Sequence, residues 1–558
     1  MKQHKFTTCY CFPAASCILL RKKVMILFLA LFLAVSFPSP ADDEALLRAA
    51  IFLSGASDAE QLDESILEQL SLCRSSPLKI NRLNAAGLAS TGILTTYQAA
   101  SIVDYRSRSG DILSWEELAL LDGFSEETVE VLKPFLSLES RNPPGAVADS
   151  VYRVKQELLL RVTEKNAGAK YRLGSRDFSL ALARRYSAGG GSGSGHIKAA
   201  FGAHEFVLGA YNLRFGQGVS HWSAFRLSGL STLNAFLQHG PALSPVQSFA
   251  PSGAHQGLAW QYSTLHFQGL VSASLPGFAA VRGMYRFRSG EVGTSALWDS
   301  GRPFFSLEGR LGLPRAEMCW EASLTPWTAA GNLSAILKPG ERFRLAFQGR
   351  VLPSRFTGKK NGEYALASGA EYSFSRTNFL SFTADAALLP VPLSEPRRRQ
   401  FRSYALWQCA PGEGNTLKLR FDTKIPSWSP PRLEFRADFL RDGPAPLALR
   451  ADAVRCDGWG FLSYAEFGRR DPSFSAYFRI TAFSTDGWNS RIWSYERDVP
   501  GSFSVPAYNG HGFAFTLYGS VKYTIRKWTF KACVRSGVQI KKEKPAQASL
   551  HFQTVLQR

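Results

Sequence analysis

"RFRLAFQGRV", residues Arg342 to Val351, sets Phe343, Leu345, Phe347 and Val351 on one face and Arg342, Arg344, Gln348 and Arg350 on the other. A two-residue period of this kind is that of a β-strand with one apolar and one polar side. "TLKLRFDTKI", Thr416 to Ile425, repeats it, with Leu417, Leu419, Phe421 and Ile425 against Lys418, Arg420, Asp422 and Lys424. "RLEFRADF", "WTFKACVRSGV" and the terminal "LHFQTVL" carry the theme onward, separated by turns such as "RDG", "KPGE" and "APGEGN". From residue 151 to residue 558 the pattern accommodates about 24 strands at an average spacing of roughly 17 residues.

Alternation alone also suits a soluble antiparallel sandwich with one wet face. Three features point to a membrane barrel. The alternation runs for about 400 residues without a helical segment, too long for one sandwich. Eleven of the 12 tryptophans fall after residue 150, often near strand ends, as interfacial aromatic girdles require. The third is an export signal. "VMILFLALFLAV", Val24 to Val35, follows Arg21, Lys22 and Lys23 and ends at the small residues of "SFPSPA". A basic flank, a short apolar core and a small-residue exit describe a secretory leader rather than a membrane span. Residues 1–41 are therefore expected to be a signal peptide. In a bilayer no strand edge can stay open, so the sheet must close on itself.

Charge divides the remainder. Residues 42–140 hold 17 acidic against 7 basic side chains, a net of −10, and residues 141–558 carry +25. Opposite charge on two stretches marks two domains in different surroundings. Five cysteines follow the leader (Cys73, Cys319, Cys409, Cys456 and Cys533), odd in number and without metal-ligand spacing, which reads as small apolar fillers.

From Asp42 to Leu138 the apolar period is helical: "AEQLDESILEQLSL" sets Leu62, Ile66, Leu67 and Leu70 on one face. "PLKIN" reads as an extended connector. Two units follow, each with a glycine turn (Gly92, Gly123), a capping residue (Thr95, Ser125) and an amphipathic helix. Residues 77–138 resemble tandem helix-hairpin-helix domains of the competence-protein type, with "YRSRSGDILSWEELALLDGFSEETVEVLKPFL" following that family's linker and second hairpin. The resemblance implies a DNA-phosphate site at Gly92, Ile93, Leu94 and Thr95 and at Gly123, Phe124 and Ser125, with Arg106 and Arg108 as basic support. Both turns lack the second glycine of the family's Gly-hydrophobic-Gly form, and Asp122, Glu126 and Glu127 crowd the second. A domain of net −10 lacks the basic footprint of a nucleic-acid binder. A structural or protein-docking role is the main expectation for it, and DNA binding the alternative.

"VLGAYNLRFGQGVSHW" (Val207 to Trp222) and "IWSYERDVPGSFSVPAYNGHG" (Ile492 to Gly512) resemble recurring blocks of a Gram-negative family that joins an exported helix-hairpin-helix module to an outer-membrane-type barrel. That resemblance implies architecture and carries no activity. Gly216 and Gly218 are read as bending a strand inward, and Glu496 with Arg497 as a lumen pair. The fold class expected is α+β multidomain. A small all-α domain (42–138), a linker (139–150) and a large antiparallel transmembrane barrel (151–558) make it up.

The lumen-facing basic set is Arg342, Arg344, Arg350, Lys418, Arg420 and Lys424. It makes the lumen electropositive, or it braces the wall through Arg–acid ladders; both readings stand. Catalysis is not expected. His221, His239 and His255, near Ser220, Ser223 and Asp299, would be its place at the barrel rim. "GGGSGSG" (Gly189 to Gly195) lacks the Lys-Ser/Thr of a phosphate loop and reads as an exposed loop. "PRRRQFR" (Pro396 to Arg402) is a basic turn that could meet lipid or lipopolysaccharide phosphate. No cofactor or metal is expected. The function expected is an outer-membrane pore, transporter or assembly scaffold with a periplasmic docking module and a periplasmic protein partner. The alternative is a DNA-uptake component.

Overall fold

The computed structural model describes residues 42–558 apart from 63, 76, 84–86, 89–92, 141–153, 176, 224–229, 239, 265, 288, 314, 357–361, 376, 390–397, 472 and 543. Twenty-four strands of eight residues or more, from Lys155–Val162 to Lys544–Gln557, form a closed antiparallel barrel. Each pairs with its neighbours in chain order. Closure comes from the last strand against the first, with Phe552 opposite Val162 and Gln557 opposite Glu157. A short strand, Leu243–Pro245, lies along the end of His204–Leu213.

The alternation decides which face goes where. On the first strand Leu158, Leu160 and Val162 are exposed outside while Leu159 and Arg161 are buried inside. Phe343, Phe347, Val351, Phe421 and Ile425 likewise face out, and Gln348, Arg350 and Arg420 face in. A closed ladder satisfies every strand's backbone groups, and the exterior is an apolar belt, the condition for lying in hydrocarbon. Trp298, Trp327, Trp428 and Trp459 stand exposed at or beside strand ends.

Because strands alternate in direction, the beginning and end of the barrel chain meet at one rim. Every connection there is two to five residues long, as at 202–203 and 526–527. The two longest connections, between Leu213 and His255 and between Thr485 and His511, leave from the opposite rim.

Ahead of the barrel lie helices α1 (Asp42–Ser54), α2 (Glu64–Ser75), α3 (Thr96–Ser109), α4 (Trp115–Ala119) and α5 (Glu126–Leu132). Their core contains Leu46, Leu67, Leu70, Ile102, Leu118, Val129 and Phe135. Thr95 caps α3 in a reciprocal capping box with Gln98, and Ser125 caps α5 by accepting from the Thr128 N–H. The "PLKIN" connector forms a two-residue parallel ladder, Leu78–Lys79 with Leu136–Ser137. Beside it the fully buried Asn81 amide donates to the carbonyls of Ile112 (2.9 Å) and Leu138 (3.0 Å) and accepts from the Ile112 N–H (2.9 Å). One side chain thus ties the two helical units together.

"GGGSGSG" is an exposed turn only at Gly189, and from Gly190 onward it is strand. Gly190–Phe201 is a barrel strand, because its serines alternate inward. Ser192 and Ser194 donate to the carbonyls of Phe249 (2.8 Å) and Ser248 (2.9 Å), so small residues let the long segment before His255 lie flat on the wall.

Candidate functional site: an occupied lumen

The inner wall is laddered by ion pairs. Arg282 makes a two-pronged contact with Glu308 (2.5 and 3.0 Å). Arg350 bridges Glu363 (2.7 Å) and Asp385 (2.8 Å), and Arg344 meets Glu371 (3.0 Å). Arg436 reaches Asp452 (2.9 Å) and Glu434 (3.1 Å), and Arg479 reaches Glu466 (2.7 Å). Bracing therefore accounts for much of the inward arginine. Arg344, Arg350 and Arg420 lie on the inner face as the period requires, and Lys418 and Lys424 share the face of Arg420. Arg342 does not line the lumen: the strand starts at Phe343, which leaves Arg342 exposed in the rim turn.

Both long connections fold inward. After His204–Leu213, Gly216 and Gly218 take φ of +47° and +71° and turn the chain back toward the wall. The loop is fastened by Glu321, whose carboxylate accepts from the N–H groups of Gln217 (2.7 Å), Val219 (2.9 Å) and Ser220 (2.8 Å) and from the Ser220 hydroxyl (2.7 Å). A Cβ on Gly216 would stand 2.6 Å from that carboxylate. Further on, Gln348 donates to the Phe236 carbonyl (3.2 Å) and Arg344 to the Asn234 side chain (2.7 Å).

In the second connection Glu496 and Arg497 do not pair with each other. Glu496 accepts from Tyr508 and Arg535, whereas Arg497 contacts Glu466 (2.8 Å) and Glu44 (3.0 Å). Neighbours on an extended backbone point to opposite sides, which separates them.

The helical module reaches into the barrel rather than standing apart from it. Its carboxylates meet inward-facing arginines along the strands Asn415–Pro426, Arg432–Arg441 and Leu447–Arg455. Asp58 pairs with Arg420 and lies 3.7 Å from Arg436; Glu60 pairs with Arg450, lies 3.4 Å from Arg436 and accepts from the Tyr495 N–H (3.0 Å). Burial alone pushes both carboxyls up. The guanidiniums of Arg420 and Arg436 outweigh it at Asp58, and those of Arg450 and Arg436 outweigh it further at Glu60, so both are held below the ordinary carboxylate range.

Both inward connections touch the module as well. Thr232 donates to the Gly55 carbonyl (2.6 Å), Ser231 to Gln61 (2.8 Å), and Phe503 packs on the module's core. Arg48 approaches Asp442 (3.8 Å) in a turn of the rim that carries the chain ends. The module thus fills the lumen from the terminal rim, and the long connections meet it from the other. The charge split was read as marking different surroundings, whereas the acidic part lies against the basic wall. The buried Asp58 and Glu60 carried no local signal beyond "SGASDAEQ", a polar break between two helical stretches.

The residues of the expected phosphate site are spent on the module itself. Ile93 and Leu94 are buried in its core. Thr95 is the α3 cap, and the Gly123 carbonyl accepts from Gln98 (2.8 Å). Arg106 donates to the carbonyls of Ile80 (2.8 Å) and Leu83 (2.6 Å), and Arg108 pairs with Asp104 (2.8 Å). Phe124 packs against the core, and Ser125 caps α5. Gly92 lies outside the described residues.

His221 and His255 face each other, Nε2 to Nε2, at 2.8 Å, with His255 Nδ1 on Ser274 (3.0 Å). Ser220 is engaged by Glu321, Ser223 by the Leu213 backbone, and Asp299 by its neighbour Ser300. His239 lies outside the described residues. Among the described residues no group of three or more His, Cys, Asp or Glu stands together as a metal cluster.

No protein-family model matches the chain, and no curated protein matches it. Solved structures do. OprD of Pseudomonas aeruginosa is similar over 73% of this chain and 93% of its own, at 9% identity and a TM-score of 0.30. The translocation pore of the P pilus usher PapC is similar over 72% and 98%, at 8% identity and a TM-score of 0.34. A chain of the Escherichia coli P pilus tip assembly intermediate PapC-PapD-PapK-PapG gives a TM-score of 0.44 at 8% identity, over 74% of this chain and 62% of its own. Neither substrate nor partner passes from them to this chain.

Proposed function

We propose that this chain is an outer-membrane pore or transporter whose lumen is closed by its own N-terminal helical module. The observation that carries it is the clamp of Asp58 and Glu60 on Arg420, Arg436 and Arg450, halfway along the inner wall. A barrel built only as a scaffold is braced by its own ladders and has no need to bury a separate acidic domain against them. All connections at one rim are short and the longest ones leave from the other, as in outer-membrane barrels, whose short turns face the periplasm. The module then fills the periplasmic mouth.

The opposite rim supports the same orientation. Arg398 lies over Trp428 (5.6 Å), Arg455 over Trp459 (4.8 Å) and Arg491 over Trp488 (4.5 Å). A band of guanidiniums and indoles at that depth suits the phosphates of lipopolysaccharide. No catalytic role is assigned.

The test is single-channel recording of the full chain in planar bilayers. The wild type is expected to stay closed for most of the record, and the E44Q/D58N/E60Q variant to open for long periods. A folded barrel that never conducts, neither in this variant nor as the wild type in urea too dilute to unfold it, would exclude a pore and leave an assembly scaffold.

A further inference from the structure

The module's acids do more than hold it in place: they neutralise a strip of the wall that the wall cannot neutralise alone. On the strand Asn415–Pro426 the inward face reads Lys418, Arg420, Asp422, Lys424, three bases to one acid. On the next strand a single carboxylate, Glu434, receives Arg420, Arg432 (3.1 Å) and Arg436 (3.1 Å) together. Arg450 has Asp438 (2.5 Å) besides Glu60, and Arg497 has Glu466 besides Glu44. When the module withdraws, Arg420, Arg436, Arg450 and Arg497 each lose a carboxylate; Arg436 keeps Asp452 (2.9 Å) and a share of Glu434, which Arg420 and Arg432 also draw on.

Charges freed in this way sit on a low-dielectric wall, where the field is focused along the passage and counter-ions are drawn in. We infer that the path opened behind the module is an anion path, whose cargo carries carboxylate, phosphate or sulfate groups that replace Glu44, Asp58 and Glu60 on these arginines. The inference rests on the pore reading above and specifies its substrate class. It also gives the exchange a driving force. An anionic solute competes with the module's carboxylates for the same donors, and planar oxyanions suit the two-pronged guanidinium.

The experiment is the reversal potential of the open E44Q/D58N/E60Q channel in a KCl gradient, with foldedness checked by heat-dependent gel mobility. Current is expected to reverse toward the chloride equilibrium potential. Adding R420Q, R436Q and R450Q should lower the chloride-to-potassium permeability ratio roughly threefold or more. Inorganic phosphate is expected to reduce chloride current in the first variant and not in the second. Openings that prefer potassium, or a ratio unmoved by the three arginine changes, would overturn the anion path while leaving the pore intact. Where the neutral variant stays shut, the wild-type full chain is recorded in urea low enough to keep the barrel folded. A folded barrel silent in both overturns the pore reading and this inference with it.

Discussion

At the scale of single residues, Glu60 holds both the wall and the second inward connection: two guanidiniums and one backbone N–H meet its carboxylate. Removing one partner of a buried pair leaves the others uncompensated, at a cost of about 3–5 kcal/mol. Glu60→Gln is therefore expected to loosen the module by about 3 kcal/mol, read as a lower urea midpoint for protease cleavage within 42–140 while the barrel midpoint holds. The pH dependence has a defined sign. Asp58 and Glu60 are held below their ordinary values in the docked state, so docking is favoured above those values and weakens as pH falls through the lowered ones. Protease resistance of the module should stay flat from neutral pH down to the ordinary carboxylate range and fail only below it. Failure near pH 6 would implicate other groups. The inward position of Arg350 and Arg420 was legible, because strand parity is a local property. Their partners across hundreds of residues were not, since an ion pair between distant elements leaves only a net charge in the sequence.

At the scale of elements, the inward connections and the turn after α1 hold the module from the far side. Gly55 has φ +71°, and a Cβ there would stand 2.7 Å from the backbone nitrogen of Ala235. Gly110 has φ +89° with open space around it. Gly55→Ala is expected to undock the module, whereas Gly110→Ala should cost only the local strain of about 1 kcal/mol; thermal scans of both variants compare them directly. Glu321→Gln turns one of the two acceptor oxygens into NH2 and leaves the donors of the 217–220 turn on that oxygen without an acceptor, at about 1–3 kcal/mol each. Limited proteolysis between Leu213 and His255 should accelerate, with the barrel still resistant to heat and detergent. Helical periods and capping residues made the module's helices readable in advance. The connections were harder, because their polar groups are satisfied by the wall rather than by periodic neighbours. "GGGSGSG" was misread for the same reason: a strand that must admit a loop against its inner face loses the bulk that marks a strand.

At the scale of the whole molecule, an apolar exterior and a laddered interior follow from one alternation repeated around 24 strands, which is why the barrel and its size could be read from the chain. The position of the module could not. A charge of −10 ahead of +25 was read as two domains in different surroundings; that each would be the other's surroundings, at the rim or within the lumen, is not written in a net charge. The measurement that decides between them is a cysteine pair, Asp58→Cys with Arg420→Cys, in a full chain carrying a protease site at 145 and assembled in the outer membrane. Linking the two thiols with a short bis-methanethiosulfonate, followed by cleavage, should leave one species joined through 58 and 420 on a non-reducing gel, separating into two on reduction. Complete separation without reduction, with the cysteine at 58 open to an impermeant thiol reagent, would place the module outside the lumen and contradict the account.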